Sequence, residues 1–598
     1  MEAVTAAAAA TGSNTMADVV ALAAERHGDQ TALRHKVGEE WLDVSYSELG
    51  EAVSEIARGL IDLGLAHGDK VAILANTRPE WTYANFGILA SGCASVSVYQ
   101  TNSAEECHYV LEHSESRAVF VEDAEQLAKV REVESKLPKL EHVILIDPAD
   151  DIGDAVTLDA LRERGRGREA AELAERTAAV RREDICVYIY TSGTTGPPKG
   201  CLISHGNYRD VTSMTETQGV ISAGDSVYLF LPLAHAFALL IQFVATDLGA
   251  TIAYWEKDAQ KIIPNLMEVK PTYFPSVPRM FEKIYTLATS NAPDKEQLEQ
   301  AVALGLEVRL MQQRNEEVPA ELQAAFEKAD EALYQNVRNI FGGEIRQCVT
   351  GAAPIAQEIL EFFFACGVPV FEGYGMTETS TIATANTLEA FRFGSVGKPI
   401  PGVEVKIADD GEVLLRGANI FQGYYKNEKA TSETLADGWL HTGDLGSVDE
   451  DGFLYITGRK KDIIITAGGK NITPANLENG LKQNRWISQA VVVGDRRPYL
   501  VVLVTLDPEE LPAFAEQHGL AVEDVTDSEQ MRSEVQAAID AVNAKVGPVE
   551  QIKYFKILPK DLAQETGELT PTLKVKRNVV NEKYAADVDA LYEQQQSG

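Results

Sequence analysis

A chain of 598 residues is too long for one ordinary hydrophobic core, so two or more domains are expected. Its 45% hydrophobic and 24% charged residues are the proportions of a folded protein, not a disordered or fibrous one. With 54 Lys and Arg against 90 Asp and Glu, the net charge of −36 repels nucleic acid and anionic membranes, and duplex binding is set aside.

In chain order, residues 1–15 are alanine-rich without the basic flank and apolar core of a signal peptide, and they are expected to be disordered. Ser47 to Leu63 carries apolar residues at helical spacing, and Lys70 to Leu74 reads as a short buried strand. A helix over Trp81–Gly92, a strand over Ala94–Tyr99, and strands at Ala118–Val121 and His142–Ile146 follow. Strands separated by helices favour a parallel sheet covered on both faces, with ligands beyond the carboxyl ends of the strands. Residues 150–183 are charged and belong on the surface. The most apolar stretch, Leu229 to Trp255, is interrupted by Pro232, His235, Gln242 and Asp247, so a buried helix is expected there instead of a membrane span. Residues 285–340, rich in Glu, Gln, Ala and Leu, suit a helical insertion. From Val403 the pattern changes to short β segments separated by Asp-Gly turns. The basic turn Gly458-Arg459-Lys460-Lys461-Asp462 marks a boundary between a domain over 16–458 and a smaller α+β domain over 459–598. Cys93, Cys107, Cys186, Cys201, Cys348 and Cys366 are scattered without a Cys-x-x-Cys pair, which reads as reduced thiols in a cytosolic protein.

The chemistry concentrates in a few loops. Thr191-Ser192-Gly193-Thr194-Thr195-Gly196-Pro197-Pro198-Lys199-Gly200 follows the strand-like run Ile185–Tyr190. Glycines there let successive N–H groups turn toward an anion, and hydroxyls with Lys199 add donors and charge, so a polyphosphate fits. The order Pro198-Lys199-Gly200 is not that of a Walker A loop. Thr350-Gly351-Ala352-Ala353-Pro354 ends another strand. Glu372-Gly373-Tyr374-Gly375-Met376-Thr377-Glu378 holds an aromatic that could stack on a purine and a carboxylate suited to Mg²⁺ beside phosphates, or it is simply the capped start of a helix. Asp444, between glycines in Trp439–Gly446, could accept two hydrogen bonds from a ribose diol. His235 sits in Leu231-Pro232-Leu233-Ala234-His235, where the bare reading is a satisfied histidine within an apolar helix. The loop Gly567–Arg577 near the C-terminus offers Lys574 and Lys576.

These motifs, in this order from residue 190 to 577, resemble those of the adenylate-forming superfamily, and the Pro-Leu-Ala-His segment and the Thr-Pro-Thr-x-Lys-x-Lys-Arg ending are most similar to bacterial long-chain fatty-acyl-CoA synthetases. The resemblance implies an α/β fold: a large N-terminal domain of stacked sheets with a small barrel-like subdomain, then a small mobile C-terminal lid. It implies that Thr191, Ser192, Gly193, Thr194, Thr195, Gly196 and Lys199 cradle the phosphates of ATP. Gly351, Ala352, Ala353, Tyr374 and Gly375 would line the adenine pocket, with Thr377 near the α-phosphate. Glu378 and Thr191 would hold Mg²⁺, Asp444 the ribose, and Arg459 ribose or phosphate. His235 would lie near the acyl carboxylate, and Lys574, selected over Lys576 by alignment through the final Lys-Arg, would be the adenylation lysine. Lys461 would be the hinge, and Gly468, Gly469 and Lys470 the CoA side. The implied reaction makes acyl-AMP and pyrophosphate, then acyl-CoA and AMP, in the cytoplasm, with a fatty substrate favouring peripheral contact at the inner membrane face. An acyl-AMP ligase loading a carrier protein and an inactive nucleotide-binding regulator stand as alternatives. Acyl chain length and oligomeric state are not readable from the residues.

Overall fold

A computed structural model describes residues 10–191, 197–289, 295–564, 566–570 and 574–593. The N-terminal lobe holds two large sheets with helices between and outside them. One sheet has eight strands, in the order Gly423–Tyr424, Lys199–Ser204, Ile185–Thr191, Ala94–Val98, Lys70–Leu74, Ala118–Val121, His142–Leu145 and Val156–Thr157. Its strands from Ile185–Thr191 to Val156–Thr157 are parallel, with helices crossing between all of them in sequence except His142–Leu145 and Val156–Thr157, which a loop joins. The other has nine, with Val370–Tyr374, Gln347–Thr350, Tyr273–Ser276, Ser226–Leu229, Thr251–Tyr254 and Thr31–Val37 running parallel through its centre.

Helices Pro79–Ala90 and Ala236–Leu248 meet in the core, where Phe86 and Phe243 pack edge to face at 5.7 Å. Both are buried on nearly every side, which explains why the stretch around Phe237–Leu248 is apolar all round. No helix among the described residues is long and apolar enough to cross a membrane. Helices Pro278–Thr289, Lys295–Gln313, Ala320–Ala329 and Gln335–Ile340 stand between strands Tyr273–Ser276 and Gln347–Thr350 and share a second core built on Phe274, Phe281, Phe341 and Phe363.

Five antiparallel strands, Glu404–Ile407, Glu412–Arg416, Leu435–Ala436, Trp439–Val448 and Leu454–Arg459, form the third sheet, and their pairing does not close a ring. After the short 3₁₀ turn Lys460–Asp462 comes a separate core around the strands Ile487–Val493, Leu500–Leu506 and Ile552–Ile557.

The N-terminus departs from the sequence expectation. Thr11 N–H donates to Asp247 Oδ1 at 3.1 Å, Arg209 donates to Ser13 Oγ at 2.6 Å, and Ser13 and Thr15 are buried. Arg209 and Asp247 are fully buried charges paired at 2.5 Å, and further polar partners are needed to satisfy them. The segment from Thr11 supplies those partners, so packing starts before residue 16; residues 1–9 lie outside the described chain.

Candidate functional site

A cleft of about 2380 Å³ lies between the lobes, at the carboxyl ends of strands from both large sheets. Thr191, Lys199, His235, Gly351, Ala352, Ala353, Tyr374, Gly375, Thr377, Glu378, Asp444, Arg459, Lys461 and Lys574 all line it. Ser192, Gly193, Thr194, Thr195 and Gly196 lie outside the described residues, but the stems of their loop do not: Thr191 pairs with Lys199 in antiparallel register.

On the cleft floor, strand Val370–Tyr374 delivers Tyr374 and then turns sharply. Gly375 is required there, because a Cβ would come within 2.0 Å of Thr381 O. Thr377–Thr379 is a single 3₁₀ turn and not the start of an α-helix. The neighbouring loop places Ala352 at φ +68°, a left-handed conformation costing a non-glycine residue about 1–2 kcal/mol. The buried Glu372 helps to hold that loop: its carboxyl meets the N–H of Ile355, and burial pushes its pKa up to about 8.

Tyr374 Oη donates to Asp444 Oδ2 at 2.6 Å, and Arg459 Nε lies 3.1 Å from Asp444 Oδ1. The residues expected at adenine and at ribose are therefore linked to each other. Asp444 and Arg459 are register partners on adjacent antiparallel strands, which fixes their approach. Glu412, which the sequence reading leaves out, accepts from Gly443 N–H at 2.8 Å and binds Lys460 at 2.9 Å, steadying the turn before Asp444.

Glu378 accepts from Tyr424 Oη at 2.6 Å. Among the described residues no group of three His, Cys, Asp or Glu could hold a metal ion. One carboxylate on the same cleft lining as Thr191 and Lys199 is a donor set that suits a Mg²⁺ held mainly by substrate phosphates and water, so the residues fit that ion.

His235 caps helix Ala236–Leu248 instead of lying inside it. Its Nδ1 accepts from Phe237 N–H at 3.3 Å, which leaves the proton of the neutral ring on Nε2. Burial, and then the charge of Lys574, lower its pKa to about 4. Lys574 reaches into the cleft from the C-terminal lobe. Lys574 is exposed to solvent on the cleft lining; partial desolvation of its ammonium there, and then the Arg459 guanidinium, lower its pKa to about 8, while Asp444 and Glu378 pull the other way. One ammonium thus feels the expected ribose, phosphate and metal residues at once. Its loop is tied by Lys574 N–H to Thr570 Oγ1 at 3.0 Å; Pro571, Thr572 and Leu573 lie outside the described residues. Lys576 starts the helix Arg577–Lys583, and its N–H donates to Glu568 O.

The expected CoA-side residues are not brought to the cleft lining. Gly468 and Gly469 form a turn between the strands Ile464–Ile465 and Asn471–Ile472, and Lys470 Nζ lies 3.6 Å from Glu550. Tyr424 and Glu372 also line the cleft, and the sequence reading assigns them no role. Gln422-Gly423-Tyr424 gives only the weak signal of a glycine before an aromatic.

The AMP-binding enzyme family matches residues 20–425, and the AMP-binding enzyme C-terminal domain matches 461–596. The long-chain-fatty-acid–CoA ligase FadD15 of Mycobacterium bovis is 41% identical over 566 residues, covering 92% of each chain. The human long-chain-fatty-acid–CoA ligase ACSBG1 is 32% identical, covering 96% of this chain and 84% of its own. Among solved structures, the anthranilate CoA ligase AuaEII in complex with anthranoyl-AMP superposes with a TM-score of 0.73 at 21% identity, over 99% of this chain and 100% of its own. The adenylation domain of the carboxylic acid reductase from Segniliparus rugosus, in complex with AMP, gives 0.76 at 19%, over 97% and 94%. Such likenesses carry the two-lobed fold alone. With both lobes matched and a relative this similar along nearly its whole length, the chain belongs to the AMP-binding, adenylate-forming enzyme family.

Proposed function

We propose that the protein is an AMP-forming long-chain-fatty-acid–CoA ligase. The observation that carries this reading is the position of Lys574, whose charge bears on His235, Arg459, Asp444 and Glu378 across one cleft. In the first half-reaction a fatty carboxylate oxygen attacks the α-phosphorus of ATP and the bond to the bridging oxygen breaks, releasing pyrophosphate. Negative charge gathers on the phosphoryl oxygens, and a preorganised ammonium on that side lowers the barrier. The Thr191–Gly200 loop would hold the departing phosphates, Tyr374 and the Gly351–Ala353 loop the adenine, Thr377 the α-phosphate, and Asp444 with Arg459 the ribose. Mg²⁺, when bound by Glu378 and Thr191, supplies countercharge to the triphosphate. Neutral His235 would donate its Nε2 proton as a hydrogen bond near the acyl carboxylate. In the second half-reaction the CoA sulfur attacks the acyl carbonyl and AMP leaves.

Long-chain fatty acid as the substrate and CoA as the acceptor rest on the names of relatives such as FadD15 and ACSBG1. Six cysteines that are all buried free thiols suit work in the cytoplasm, where the enzyme could take fatty acid from the inner membrane face. The purified chain, given oleate, ATP and Mg²⁺, is expected to form oleoyl-CoA and AMP from free CoA. Oleoyl-AMP that accumulates with CoA present, and is consumed only by a carrier protein, would show a carrier-loading ligase instead.

A further inference from the structure

Tyr424 lies beside Glu378 and Lys199, yet no step above uses it. Its hydroxyl donates to Glu378 Oε1 at 2.6 Å, and Lys199 Nζ stands 4.8 Å from the centroid of its ring. The residue is 9% exposed and lines the cleft, so its polar end faces the site while its body is packed. Three anchors fix it. Tyr424 is the register partner of Cys201 on the strand that begins with Lys199, its N–H donates to Thr431 Oγ1 at 2.9 Å, and Phe421 packs edge-on against its ring at 4.9 Å. The same segment also grips the backbone of Glu378, because Phe421 N–H donates to Glu378 O at 3.0 Å.

A phenol is a suitable donor for this task. It fixes one carboxylate oxygen without neutralising the anion, as an ammonium in the same place would. The ring face meanwhile attracts Lys199 through its quadrupole. From this geometry we infer that Tyr424 is a positioning residue, which holds Glu378 in the orientation that takes the metal and sets Lys199 beside it. The inference rests on the reading of Glu378 as the metal carboxylate. A buried tyrosine that merely needed an acceptor would lose stability on mutation and leave the response to Mg²⁺ unchanged.

Calorimetric titration with ATP, with and without Mg²⁺, separates these cases, with thermal melting run alongside. In the wild type Mg²⁺ should tighten ATP binding. Tyr424→Phe keeps the ring and removes the hydroxyl; it should cut that gain by roughly tenfold, the usual scale for one hydrogen bond to a charged group, and leave binding of metal-free ATP little changed. Glu378→Gln should remove the gain, and adding Tyr424→Phe to it should cost nothing more. A wild-type gain in Tyr424→Phe, with the gain lost in Glu378→Gln, overturns the role of Tyr424. A gain that survives Glu378→Gln overturns the reading of Glu378 itself. Should Tyr424→Phe fail to fold, Thr431→Val, which loosens the anchor of Tyr424, should lower the gain in the same direction, and an unchanged gain there overturns the inference.

Discussion

Lys574 shows how one side chain takes its chemistry from its surroundings. An ordinary lysine stays charged past pH 10, but partial desolvation at the cleft and the nearby Arg459 bring this one down to about 8. The protonated amine is the form that can counter phosphoryl charge, and it is the populated form below its pKa. Adenylation measured as kcat/KM by oleate-dependent ATP–pyrophosphate exchange is therefore expected to be level near neutrality and to fall about tenfold per pH unit above 8. Arg459→Gln removes a like charge, so the break should move to higher pH even as nucleotide affinity drops. A break that stays in place would assign it to another group. His235 cannot supply it, because its own pKa of about 4 keeps it neutral throughout this range.

At the scale of elements, the site is made of strand ends and the turns that follow them, and this is why so much of it can be read from sequence. Gly375 must be glycine because Thr381 O stands where a side chain would go, and such local constraints leave local signatures. The same logic exposes the strands Lys70–Leu74 and Ala118–Val121, whose apolar runs are bounded by turns. What sequence hides is contact between distant segments. Tyr424 meets Glu378 across 46 positions, and nothing beside either residue records it. His235 looks like part of an apolar helix because the helix begins one residue later, and only the accepted hydrogen bond marks it as a cap. The N-terminal segment misleads similarly: its alanine-rich composition gives no hint that Arg209 and Asp247 lie buried and in need of partners. We propose the turn Lys460–Asp462, with Lys461 exposed at its centre, as the element through which the lobes reorient. Lys461→Pro fixes φ at that point. It should slow thioester formation from supplied acyl-AMP at least tenfold while exchange with pyrophosphate stays within about threefold of the wild type. Equal loss in both assays would remove the hinge from this turn.

For the whole molecule, a net charge of −36 means that an anionic nucleotide is attracted only by local cations, and Lys199, Arg459, Lys461 and Lys574 stand on the cleft lining among acidic residues as well. Among the described residues, beyond the Arg459–Asp444 and Lys460–Glu412 pairs at the boundary, polar links between the lobes include the largely exposed pairs Arg279 with Asp507, Lys283 with Glu509, Lys545 with Glu358 at 3.9 Å, and Gln564 with Thr101 at 2.9 Å. Exposed ion pairs contribute about 0–1 kcal/mol each, so the smaller lobe is lightly held by them. In this arrangement Lys574 faces the cleft while Gly468, Gly469 and Lys470 lie off it, as an adenylating state requires. Under the proposed function, thioester formation would call for a second arrangement, with Lys574 withdrawn and the Gly468–Lys470 turn presented. The two half-reactions should therefore depend on Lys574 unequally, and the most direct test measures both on Lys574→Ala. Oleate-dependent ATP–pyrophosphate exchange should fall at least a hundredfold, about 2.7 kcal/mol of lost transition-state stabilisation, while oleoyl-CoA formation from supplied oleoyl-AMP stays within a few fold of the wild type. Exchange that survives the substitution, or an equal loss in both halves, would contradict this dependence on Lys574.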